Sequence, residues 1–158
     1  MERGLRGEAN IHYMKIHTIK MHQEFNAPIE KIFEAFGDHA NMGKILGQKI
    51  TRILDSKDAS NINGLGSVRK IHIPVFGFEE TIRKSEKPNR IEYQITKGTP
   101  LSHHYGTMIF KSLPGGKTSM DYTIELGSKL PLMGLILKNV LGQMIGGSIK
   151  KYAKKLEK

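Results

Sequence analysis

Apolar and polar residues alternate from Met14 to Phe25, with Ile19, Met21 and Phe25 on one parity, which predicts a strand over 14–25. Asn26-Ala27-Pro28 ends it; Asn26 is placed to cap a helix and Pro28 suits a first helical turn. In IEKIFEAF, Ile29, Ile32, Phe33 and Phe36 recur at three- and four-residue spacing and make one apolar helix face. Gly37-Asp38 breaks that helix, and residues 39–46 read as a second short one. Strands are then predicted at 49–56, 65–74, 78–86, 90–97, 101–113 and 117–127. Between them stand Asn63-Gly64, Pro74 to Gly77, Lys87-Pro88-Asn89, Gly98-Thr99-Pro100 and Pro114-Gly115-Gly116. Connections this short join neighbouring antiparallel strands. Pro131 marks the entry to a last helix, whose stripe is Leu137, Leu141, Met144, Ile145, Ile149, Tyr152 and Leu156.

This order predicts an α+β domain over 14–158: a curved antiparallel sheet wrapped around a long C-terminal helix, with two short helices after the first strand. Such an arrangement leaves room for a ligand between sheet and helix. Residues 1–13 (MERGLRGEANIHY) show neither period, and read as a flexible arm or as a start chosen upstream of Met14. The stretch 130–149 is apolar, but Lys138, Asn139, Gln143 and four glycines interrupt it. A lysine at the centre of a span costs about 2.5–3.5 kcal/mol, so a core-facing helix is expected instead.

The alternating rows define an inner face carrying Arg69, Ile71 and Ile73; Phe78, Glu80 and Ile82; and Ile91, Tyr93 and Ile95. His104, Gly106, Met108 and Phe110 continue it, as do Met120, Tyr122, Ile124 and Leu126. Five polar-capable residues, Arg69, Glu80, Tyr93, His104 and Tyr122, thus interrupt apolar rows. A turn centred near 75–76 sets Arg69 opposite Ile82 with Glu80 diagonal. Later turns set Ile82 opposite Tyr93, and Tyr93 opposite His104. On that register Arg69, Glu80, Tyr93 and His104 meet in one polar group.

The expected ligand-binding set is those five residues with Met108, Phe110, Leu141 and Ile145. Arg69 would hold a carboxylate or phosphate while Tyr93 and His104 bind a carbonyl or hydroxyl; alternatively Arg69 and Glu80 simply pair with each other. His104 is the one candidate for proton transfer, against the plainer reading of a satisfied wall histidine.

The chain has no cysteine, which excludes disulfides, thiolate metal sites, a cysteine nucleophile and Rieske clusters. His103-His104 is one adjacent pair on opposite faces, so no metal site and no cofactor are expected. Glu8, Asn10 and His12 interrupt any signal-peptide core, and a cytoplasmic protein is expected. Lysine and arginine exceed aspartate and glutamate by 25 − 15 = +10, and residues 129–158 alone hold seven lysines and one glutamate. Solubility alone is the plainest reading of that charge; beyond it, Lys150, Lys151, Lys154 and Lys155 are candidates for transient contact with anionic membranes. Nucleic acid is a less suitable partner, because there is no tryptophan and the other aromatics fall in buried patterns.

The segments NAPIEKIFEAFGDHANMGK (26–44), NGLGSVRKI (63–71), GFEETI (77–82), KPNRIEYQI (87–95) and GTMIFKSLPGGKTSMDYTIEL (106–126), with the closing helix, carry a resemblance. Their order resembles the START/Bet v 1-like superfamily (SRPBCC proteins), and within it the bacterial polyketide cyclase/dehydrase and lipid-transport group. The resemblance implies the helix-grip fold and a cavity for a hydrophobic small molecule, held for transport or for chemistry. Three functions follow as expectations: binding or transport of a lipid or polyketide-like molecule; a cyclase/dehydratase using His104; and a basic module that docks on protein or RNA.

Overall fold

The computed structural model describes residues 14–73, 77–130 and 132–158. The expected arm or early start at 1–13, the turn at 75–76 and the helix entry at Pro131 lie outside the described residues. Strand β1 (Ile16–Phe25) is followed by helices α1 (Ile29–Gly37) and α2 (His39–Leu46). Strands β2 (Lys49–Leu54), β3 (Val68–His72), β4 (Gly77–Glu86), β5 (Arg90–Lys97), β6 (His103–Leu113) and β7 (Lys117–Gly127) come next, and α3 (Met133–Lys155) closes the chain. All seven strands form one antiparallel sheet in the order β1-β7-β6-β5-β4-β3-β2. β1 and β2 are thus opposite edges, and α1 with α2 carries the chain between them.

Local chemistry accounts for the helix ends. Pro28, not Asn26, is the N-cap of α1, in extended backbone with no side-chain cap, and Asn26 is exposed. The entry is instead tied down by Thr118 on β7, whose hydroxyl donates to the Ala27 carbonyl at 2.8 Å. Asp38 caps α2 by accepting from the Asn41 amide at 2.8 Å. Gly47 ends α2 at φ 67°, the left-handed conformation that glycine adopts without steric cost. β3 is shorter than the expected 65–74, because Gly66 (φ 81°) turns the chain before Val68.

The alternation of the strands survives folding. Arg69, Ile71, Glu80, Ile82, Ile91, Tyr93, His104, Met108, Phe110, Met120, Tyr122, Ile124 and Leu126 are all buried on the concave face. The helices close over it in two places. Phe25, Phe36, Phe110 and Tyr152 join β1, α1, β6 and α3, with ring centroids 5.8–6.2 Å apart. Phe33 adds an edge-on contact to Phe110 at 5.7 Å. α3 lies along β1, where a Cβ on Gly134, Gly142 or Gly146 would meet His17, Ile19 or Met21. The helix buries Ile145, Ile149 and Ala153 and half-buries Leu137, Leu141, Tyr152 and Leu156. Met144, expected in that stripe, is instead exposed, because it sits on the row turned away from β1.

Candidate functional site

The polar residues of the concave face come together, though by a different register from the one expected. Arg69 pairs directly with Glu80, not with Ile82. Tyr93 stands opposite Ile82 as expected, but its neighbour on β6 is Gly106, not His104. Both departures are slips of two residues, which leave every side chain on its predicted face.

Arg69 is the hub of the group. Its side chain is 1% exposed, and its Nε donates to Glu80 Oε2 at 2.7 Å. Nη1 points at the Met42 sulfur at 2.9 Å, and the guanidinium carbon lies 4.7 Å from the Tyr93 ring centre. The Tyr93 and Tyr122 hydroxyls hydrogen-bond to each other. Burial pushes the Glu80 carboxyl above the usual range, against the opposing pull of Arg69. Burial works against the Arg69 charge too, while Glu80 and the two phenols hold its pKa up. Burial raises both phenols, so the group as a whole contains one compensated ion pair and neutral partners.

Gly106 makes the Tyr93 position possible. A Cβ there would come within 2.2 Å of the Tyr93 ring, so the ring lies across the glycine's bare backbone. The ladder between β5 and β6 runs only from Arg90–Ile109 to Tyr93–Gly106. Beyond it, the Ile95 amide donates to His104 Nδ1 at 3.1 Å, a side chain standing in for a strand partner. That bond places the His104 proton on Nε2. Burial, then His103 and Arg69, lowers the His104 pKa to about 4.

Sequence reasoning missed His39 and Ser67. His39 opens α2 and is 1% exposed, and among the described residues its ring nitrogens make no well-formed hydrogen bond, the Asn63 backbone being the nearest candidate. Burial, then Arg69 and Arg52, lowers its pKa to about 3. Among the described residues, Ser67 Oγ and Arg69 Nη2 are likewise buried without a partner. Ser67 shares the parity of Arg69, which was the available signal. No periodic signal marked His39, because α2 is too short to define an inner face by sequence.

Of the other candidates, Met108 and Phe110 are fully buried, Phe110 beneath α1. Ile145 is buried and Leu141 half-buried where α3 lies along β1. A separate cleft of about 590 Å³ opens among α1, α2 and α3, lined in part by Lys31, Lys44, Lys151 and Lys155. Among the described residues, no group of three His, Asp or Glu side chains is placed to hold a metal, and no helix is long and apolar enough to cross a membrane.

Solved structures share this architecture at low identity. A START superfamily protein from Mycobacterium smegmatis superposes with a TM-score of 0.72 at 13% identity, covering 89% of this chain and 99% of its own. Norcoclaurine synthase from Thalictrum flavum, solved with dopamine and hydroxybenzaldehyde, gives 0.68 at 13% identity, covering 99% and 95%. Ara h 8.0201 gives 0.64 at 17% identity, covering 89% and 99%. These likenesses identify the helix-grip α+β fold. No curated protein matches the chain by sequence. The model of one family, described as polyketide cyclase / dehydrase and lipid transport, matches residues 17–158, and the chain belongs to that family.

Proposed function

We propose that the protein binds a hydrophobic small molecule with an uncharged polar head, as a carrier and not as a catalyst, in a reducing compartment such as the cytoplasm. The observation that carries this reading is a set of buried polar atoms that make no well-formed hydrogen bond among the described residues: the His39 ring nitrogens, Ser67 Oγ and Arg69 Nη2. A buried polar atom without a partner costs about 1–3 kcal/mol, so a ligand that supplies partners is favoured. The rest of the concave face is largely apolar, with Ile71, Ile82, Ile91, Met108 and Phe110 among its buried side chains, the usual composition of a site for a greasy molecule.

Charge selects the head group. Arg69 is already neutralised by Glu80, so an incoming carboxylate would leave a second negative charge buried and unpaired. A hydroxyl or ketone adds no charge, accepts from Arg69 Nη2, and completes the bonding of His39 or Ser67. This revises the expectation that Arg69 grips an anion. His39 and Met42 of α2 cover the group, so binding is coupled to movement of α2.

His104 is poorly suited to proton transfer. Its Nδ1 lone pair is committed to the Ile95 amide, and with a pKa near 4 it carries no transferable charge at neutral pH. It serves better as an Nε2–H donor and as the latch between β5 and β6.

Native mass spectrometry of gently purified protein, followed by solvent extraction, tests the reading. A bound neutral amphiphile is expected, with lower occupancy in His39→Phe. Titration with long-chain alcohols, ketones and carboxylates is expected to favour the uncharged heads at least about tenfold, a difference of about 1.4 kcal/mol. A preference for carboxylates, or no binding of any of the three, would overturn it.

A further inference from the structure

α3 carries an apolar row on its outer side. Leu132, at its N-cap, and Ile136, Val140 and Met144 are spaced four apart, and their exposures are 72%, 59%, 56% and 42%. Leu130 and Leu135 beside them are 51% and 43% exposed. Single exposed leucines are ordinary on a protein surface, but a contiguous run marks a surface that meets something. One turn further on, Ser148 and the half-buried Tyr152 wall the 590 Å³ cleft among α1, α2 and α3. At about 1.5 Å per residue the row from Leu132 to Met144 is about 18 Å long.

The apolar ridge therefore leads into a basic cleft. Lys31, Lys44, Lys151 and Lys155 line it, and among the described residues none of the four is in an ion pair. The one carboxylate in its lining, Glu34, is held 2.8 Å from Lys87. Lys150 and Lys154 extend the positive charge along the exposed side of α3.

We propose that this face of α3 docks on an anionic phospholipid bilayer, with the ridge sinking to the acyl-chain boundary and the lysine cleft receiving phosphate head groups. Charge decides the occupant. A second copy of this chain would bring more lysines and almost no carboxylate, since residues 129–158 hold seven lysines and one glutamate. A layer of lipid phosphates answers the lysines, and the chains beneath it answer the leucine, isoleucine, valine and methionine. The face shares no residue with the polar group of the concave wall, so the proposal stands whatever the interior holds.

Flotation of the full chain with vesicles tests it, using phosphatidylcholine alone and phosphatidylcholine mixed with phosphatidylglycerol. Binding is expected only to the mixed vesicles, weakening as salt rises. The exposed pair Ile136→Ser/Val140→Ser, checked for an unchanged melting temperature, is expected to lose about tenfold or more in partitioning. Lys44→Gln/Lys151→Gln/Lys155→Gln is expected to lose about a hundredfold, at about fivefold per lysine. No binding to mixed vesicles, or binding indifferent to the serine pair, would overturn the proposal. Release by inorganic phosphate, at an ionic strength matched with chloride, would assign the cleft to a free phosphate and overturn it as well. A dimer in sedimentation that the serine pair abolishes would assign the ridge to a second copy, with the same consequence.

Discussion

Arg69 and Glu80 face each other in a site almost closed to water, and the energetics of such a pair are lopsided. Removing one charge strands the other, whereas replacing both with apolar groups of similar size is often nearly neutral. Glu80→Gln is therefore expected to cost about 3–5 kcal/mol in urea unfolding, and Arg69→Met/Glu80→Leu much less. Equal losses would show that the two do not act as a unit. Gly106→Ala drives a methyl into the Tyr93 ring, and an expected loss of about 1–3 kcal/mol follows from that overpacking. Adding Tyr93→Leu should recover part of it; no recovery would mean that the glycine is needed for another reason. Strand parity was enough to find Arg69, Glu80, Tyr93, His104 and Tyr122, because side chains alternate whatever the register. Gly106 was visible as a hole in the inner row, but which ring fills it depends on register. His39 was not visible, since only its burial against the Arg69 side of the sheet distinguishes it from a surface histidine at a helix start.

At the scale of elements, α2 and β6 each bury a histidine that is neutral in the folded state. A folded pKa below the ordinary 6.5 means that the unfolded chain takes up protons first. Each histidine then contributes stability that is present above about pH 6.5 and is lost as pH falls towards 4 for His104 and 3 for His39. Each adds a slope of up to about 1.4 kcal/mol per pH unit. Glu80 acts in the opposite sense, because its raised carboxyl contributes stability that fades as pH rises through the folded value. His39→Phe isolates one element: its unfolding free energy should fall less steeply than wild type between about pH 6 and 4.5. An unchanged slope would mean that His39 is solvated. The two register slips belong to this scale as well. Turn composition fixed where each hairpin reverses, but not the loop geometry that decides between registers two residues apart. The departures fall in the β3–β4 and β5–β6 pairings, while the β4–β5 pairing sets Ile82 opposite Tyr93 as its turn predicts.

At the scale of the molecule, the order of strands and helices was legible because long alternating runs and strong turn signals leave few other topologies. What the charge is for was less legible, because exposed lysines look alike until their neighbours are known. The sheet order has a consequence for how the chain is made. β1 is synthesised before the other six strands of the sheet, yet it pairs with the last of them, β7, with Ile16 opposite Gly127. At ribosomal speeds of about 5–20 residues per second, β1 waits several seconds or more before its partner exists. Through that interval it is an unpaired strand with an apolar side, the kind of segment that recruits neighbours on a polysome. α3, which covers β1 in the finished protein, emerges later still. The exposed polar positions of β1, Lys20, His22 and Glu24, alternate with Ile19, Met21 and Phe25 and keep that early strand soluble while it waits.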